Sequence, residues 1–136
     1  MTVVDASVVV DWVAPDVDPT NPARRLLRQL AEAPASVFAP RLLFEEVANA
    51  LLTGFRRGRW DGMAADRAYS RLRRAPIEII DERRDLDRAW ELSRRYDEHP
   101  VYDMVYVAVT ERLGDVLVTQ DERLRERLML VYVVGP

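Results

Sequence analysis

Five short apolar runs punctuate the chain: Thr2 to Asp5, Ser36 to Ala39, Ile77 to Ile80, Val116 to Thr119 and Leu130 to Val134. They are apolar rather than alternating, as expected of strands covered on both faces. Between them lie stretches with helical spacing, so strands and helices take turns along the chain. That order predicts an α/β fold with a central parallel sheet of about five short strands flanked by helices. In such folds ligands gather outside the carboxyl ends of the strands. Asp5 closes the first run, and Thr119 and Asp121 stand at and just beyond the fourth. Two acids are thereby expected at one edge of the sheet.

The helices can be placed from their start and stop signals. One is expected from about Ser7 to Ala14, although Val8, Val9 and Val10 would also suit a strand. Pro15, Pro19 and Pro22 mark a loop, with Pro22 in the first turn of a helix running through Ala33. A long helix follows Pro40, from about Arg41 to Arg57, with Leu43, Val47, Ala50 and Leu51 on one face. Gly58 ends it, and Asp61 is placed to cap the next, Gly62 to Arg74. A further helix covers Leu86 to Tyr96, its inward face read as Leu86, Ala89, Trp90 and either Leu92 or Ser93. After Pro100 comes a strongly apolar helix, Tyr102 to Leu113, closed by Gly114. A short helix starts at Asp121. Trp12 and Phe55 suit either the core or an exposed patch.

With 136 residues there is room for one domain, 1–136, which at this length buries about 68% of its unfolded surface and needs no disulfide. There is no cysteine and a single histidine, His99. Thiol chemistry and iron–sulfur centres are excluded, and zinc is disfavoured. His99 has no nucleophile-elbow sequence to serve and reads as a loop residue before Pro100. All twenty basic residues are arginine, and the net charge is −3. Genome composition accounts for the first fact, while arginine remains the better bidentate phosphate ligand. No stretch reaches the roughly 20 apolar residues of a membrane helix. The first residues lack the basic start of a signal peptide, so a cytoplasmic protein without membrane association is expected.

The groups left for chemistry are carboxylates, hydroxyls and guanidiniums. Glu46 stands out because its helical neighbours are Leu42, Leu43 and Ala50, which puts a carboxylate on an apolar face. Glu45 lies over Arg41 and suits an ordinary surface pair. Asn49, one turn on, shares the face of Glu46 and is placed to orient it. Asp103 is the sole acid in the first two turns of its apolar helix, where it also complements the helix dipole. Asp121 doubles as a cap for the last helix. Asp5 is the hardest to explain away, since an ionised acid ending a buried strand is costly unless paired or bound. Two carboxylates about 4 Å apart repel by roughly 4 kcal/mol at an effective dielectric of about 20. A cluster of them calls for protons or hard cations such as Mg²⁺ or Mn²⁺.

The blocks VVDASVVVDW, APRLLFEEVANALL, HPVYDMVYVAVTERLG and DVLVTQDERL resemble, in order and interval, the four blocks of a PIN domain. The resemblance covers nearly the whole chain and is nearest to the VapC-like toxin ribonucleases of bacterial toxin–antitoxin pairs. It implies a three-layer PIN-like fold and a magnesium- or manganese-dependent endoribonuclease, leaving a 5′-phosphate and a 3′-hydroxyl. Asp5, Glu46, Asp103 and Asp121 would be the catalytic, metal-binding acids, with Ser7, Asn49 and Thr119 in support. It also implies an RNA substrate, a small cognate antitoxin whose tail offers an arginine to the acids, and a homodimer. Arg56, Arg57 and Arg59 form the densest basic cluster and are expected to contact RNA, with Arg71, Arg73 and Arg74 a second, weaker candidate. Solvated helix-end charge is the alternative for both clusters. Two other readings stay open: an Asp-dependent phosphatase using Asp5, which Ser7 and the absence of lysine disfavour, and a noncatalytic binding module.

Overall fold

The computed structural model describes residues 2–32, 36–96, 99–128 and 133–136. Five strands, β1 (Thr2–Val4), β2 (Val37–Ala39), β3 (Ile77–Ile79), β4 (Val116–Val118) and β5 (Val133–Val134), form one sheet in the order β3-β2-β1-β4-β5. Every pairing is parallel. The helices are α1 (Ala6–Val13), α2 (Pro22–Glu32), α3 (Leu42–Arg56), α4 (Gly62–Arg73), α5 (Arg83–Arg95), α6 (Val101–Leu113) and α7 (Glu122–Leu128). The Val8–Val10 run is helical, because Asp5 caps it and turns the chain out of the sheet. The ends expected at Ala33 and Leu130 lie outside the described residues.

The order of strands decides where a site can form. The chain steps from β1 outward to β2 and β3, then crosses back to lay β4 on the other side of β1. The crevice between β1 and β4 at their carboxyl ends is therefore a topological switch point. Val3 and Val4 of β1 and Leu117 of β4 are buried, and α6 packs against both strands. Because α6 runs back towards the start of β4, its first turn lies at the carboxyl edge of the sheet. Helix α3, leaving the end of β2, begins at that same edge.

Two helix ends use glycine as expected. Gly114 closes α6 with φ +65°, and Gly58 follows α3 with φ +76°, a region where a side chain is strained. A third glycine, Gly54, serves packing: a Cβ there would lie 2.1 Å from Cζ2 of Trp60. The Trp60 indole is buried over α3 and donates to the Leu51 carbonyl at 3.0 Å.

Two expectations are corrected. In α5, Leu86 is 54% and Trp90 65% exposed, and the buried face is Asp85, Ala89 and Leu92. The helix starts at Arg83, three residues early, because Asp85 reaches back to the Glu82 amide at 3.1 Å. Asp85 is buried at 2% exposure since Arg112 of α6 holds both its oxygens, at 2.7 and 2.8 Å. An ion pair thus takes the place read for Leu86. The second correction concerns β3, an edge strand with Glu78 and Ile79 exposed rather than covered on both faces. His99 lies in the loop before Pro100 as expected and is buried there at 6% exposure. Trp12 is core, whereas Phe55 is exposed.

Candidate active site

Asp5 is the first residue after β1 and the N-cap of α1. Its Oδ1 accepts from the Ser7 amide at 3.0 Å and from the Ser7 hydroxyl at 2.5 Å. Its Oδ2 accepts from the hydroxyl of Thr119, the fully buried residue after β4. Both hydroxyls have their direction set from behind. Ser7 Oγ accepts from the Gln120 amide at 2.9 Å, and Thr119 Oγ1 from the Asp121 amide at 3.0 Å. Each is left to donate its own proton to the carboxylate. Oδ1 is thus held by both Ser7 donors and Oδ2 by Thr119, and the Val8 amide adds a further hydrogen bond to the carboxylate.

Helices α3 and α6 bring the next two acids. Glu46 Oε1 accepts from the Tyr106 hydroxyl at 2.9 Å. Tyr106 lies one turn beyond Asp103 on α6, so one helix face supplies an acid and a phenol together. Asp103 Oδ2 lies 3.8 Å from Nδ1 of His99, whose Nε2 is buried without a partner among the described residues. Asp121 Oδ1 accepts from the Leu124 amide at 3.1 Å and so caps α7 as well.

The electrostatics link these groups. Burial pushes the Asp5 carboxyl above the usual range against the pull of its hydroxyl and amide donors. Glu46 is also raised, first by burial and then by the charges of Asp103 and Asp5, with the Tyr106 hydrogen bond opposing. Asp103 is raised by burial and then by Asp121 and Asp5, with His99 opposing. Carboxylates that raise one another share a field, and such a set is relieved by a proton or a cation.

A family model, "PIN domain", matches residues 2–127. The chain belongs to the PIN-domain family. It is 36% identical over 134 residues to Ribonuclease VapC3 of Mycobacterium tuberculosis, in strains CDC 1551 and H37Rv alike, covering 98% of this chain and 91% of the relative. PAE2754 from Pyrobaculum aerophilum has the same fold, with a TM-score of 0.68, 23% identity and coverage of 98% of this chain and 87% of that one. So does VapC20 of M. tuberculosis, described as a sarcin–ricin-loop-cleaving toxin, with a TM-score of 0.68, 20% identity and coverage of 93% and 95%.

In this PIN domain, Asp5, Ser7 and Thr119 meet directly, and Glu46, Asp103 and Asp121 enter the same field. Asn49 does not join them: it is exposed and makes no side-chain hydrogen bond among the described residues, and Tyr106 orients Glu46 instead. The arginines divide. Arg59 pairs with Asp16 at 2.9 Å and lies over the Trp60 ring, and Arg71 donates to the Val13 carbonyl. Arg56 and Arg57 are exposed with no acidic partner among the described residues, and so are Arg73 and Arg74. Tyr106, His99 and Gln120 were missed by sequence reasoning. Spacing from Asp103, three residues for Tyr106 and four for His99, is the signal that points to the first two.

The donor set fits a hard divalent cation: its ligands are all oxygen, burial raises Asp5, Glu46 and Asp103, and neighbouring carboxylates raise the last two further. Among the described residues, no three carboxylates or histidines are already gathered as a ligand cage. Among the described residues, no helix is long and apolar enough to cross a membrane.

Proposed function

We propose that this PIN domain is a metal-dependent endoribonuclease, the toxin of a type II toxin–antitoxin pair, with residues 1–136 acting as one unit. The observation that carries the proposal is Asp5, 8% exposed at the β1–β4 switch point of a PIN-family sheet, with Glu46, Asp103 and Asp121 in one electrostatic field with it. The 36% identity to Ribonuclease VapC3 along nearly the whole chain supports RNA as the substrate.

Asp5, Glu46 and Asp103 would hold Mg²⁺ or Mn²⁺, with Asp121 acting through water or on a second ion. Bound there, the cation supplies a Lewis acid that lowers the pKa of water and offsets charge on the phosphate. The protein's own part is placement. Ser7 and Thr119 fix Asp5 and favour its ionised form by donating to both oxygens, opposing part of the cost of its burial. Tyr106 holds one oxygen of Glu46 and leaves the other to the crevice. Arg56 and Arg57, with Arg59 beside them, contact phosphates leading to the crevice. The partners would be a small antitoxin, offering an arginine to the acids, and a second copy of this chain, in the cytoplasm.

Sequencing the ends of RNAs cut by the purified chain with Mn²⁺ tests the proposal. Discrete 5′-phosphate ends, absent when Glu46→Gln replaces the wild type, are expected. No cleavage by the wild type at micromolar concentration overturns it.

A further inference from the structure

The crevice is assembled from two halves that share no covalent neighbour. One half is the start of α1, carrying Asp5 and Ser7, and the other is the loop after β4, carrying Thr119 and Asp121. Gln120, between these last two residues, reaches across. Its backbone amide donates to Ser7 Oγ at 2.9 Å, and its side-chain Nε2 donates to the Ser7 carbonyl at 2.9 Å and to Asp11 Oδ2 at 2.7 Å. Asp11 lies one turn along α1 from Ser7, on the same face. It is itself anchored, since Asn21 Nδ2 donates to the same Oδ2 at 3.1 Å and Arg24 Nε to its backbone carbonyl at 3.0 Å.

We infer that Gln120, anchored by Asp11, is a positioning residue that sets the two halves of the crevice against each other. It touches neither substrate nor any of the four acids through its side chain. Its effect passes through Ser7, whose hydroxyl it braces, and through the loop that presents Thr119 and Asp121. Outer partners that orient metal-binding carboxylates typically change metal affinity or activity by roughly 10- to 100-fold. Asp11 serves as a hydrogen-bond acceptor at a single oxygen, so an asparagine amide oxygen would replace it. The other oxygen, Oδ1, takes no hydrogen bond among the described residues.

The inference rests on the metal-dependent reading, and the test separates the two. Mn²⁺ affinity is measured by calorimetry without RNA, and kcat and KM on an RNA oligonucleotide, for wild type, Gln120→Met, Asp11→Ala, Asp11→Asn and the Asp11→Ala/Gln120→Met double variant. Gln120→Met keeps the length of the side chain and removes its donors. Gln120→Met and Asp11→Ala should each weaken Mn²⁺ binding and lower kcat about tenfold with KM little changed. The double variant should be no worse than the poorer single one, because both remove one tether. Asp11→Asn should recover most of the loss. Wild type that binds no Mn²⁺ defeats the metal-dependent reading itself. Wild-type binding with equal binding by Gln120→Met overturns only this inference, as does Asp11→Asn being as damaged as Asp11→Ala.

Discussion

The hydroxyl of Tyr106 on α6 donates to Oε1 of Glu46 on α3 at 2.9 Å, joining two helices from opposite faces of the sheet. The bond stabilises the ionised form of Glu46 against burial and the neighbouring charges. Burial first, then the charge of Glu46 and its hydrogen bond, raise the pKa of the phenol, so it remains a donor at any ordinary pH.

Tyr106→Phe should therefore lower kcat roughly tenfold with little change in melting temperature. Losing the bond raises the Glu46 pKa further, so the acid limb of the pH–rate profile should move to higher pH. A profile that only drops in height, with no displacement, would show that Tyr106 does not act on Glu46.

The raised carboxyls also carry a pH signature in the metal-free protein. Asp5, Glu46 and Asp103 hold a proton more tightly folded than unfolded. Their contribution to stability is complete below the ordinary carboxylate pKa of about 4 and is lost as pH rises through the raised values. Without metal, wild type should lose more stability between mildly acid and neutral pH than Asp5→Asn does, and Mn²⁺ at neutral pH should restore it. Melting curves across this range in chelator, then in Mn²⁺, test the difference.

Away from the site, Arg112→Leu should destabilise the protein by roughly 3–5 kcal/mol, because it strands the buried Asp85 carboxylate. Arg112→Leu together with Asp85→Leu should recover part of that loss. Denaturant unfolding of the single and double variants measures both, and an unchanged midpoint for Arg112→Leu would mean that water already serves Asp85.

Gly54→Ala should cost roughly 2–3 kcal/mol, since the new methyl must displace the Trp60 ring and break its bond to Leu51. Trp60 fluorescence in the folded state should shift towards that of an exposed indole, and a spectrum like wild type would refute the packing described.

Much of this architecture is legible from local signals. Apolar runs separated by helical spacing disclose a parallel sheet, and the proline and glycine positions place the helix ends within a few residues. Asp5 and Asp121 are legible because strand ends and caps are local features. What local pattern does not carry is pairing across the fold. Leu86 and Trp90 look inward by spacing alone, but the Asp85–Arg112 pair, 27 residues apart, turns α5 the other way. Asn49 looks like the partner of Glu46 because it is one turn away, yet the real donor is 60 residues distant. The bracing of Ser7 by Gln120 spans 113 residues and leaves no spacing to read.

The central claim is that the Asp5 carboxylate anchors a divalent ion that RNA cleavage requires. The most direct measurement is Mn²⁺-dependent cleavage of an RNA oligonucleotide by wild type and Asp5→Asn, each with and without EDTA. Cleavage by wild type that EDTA abolishes, and that falls at least about a hundredfold in Asp5→Asn, is the expected result. Cleavage that survives EDTA, or that Asp5→Asn retains at the wild-type rate, would contradict it.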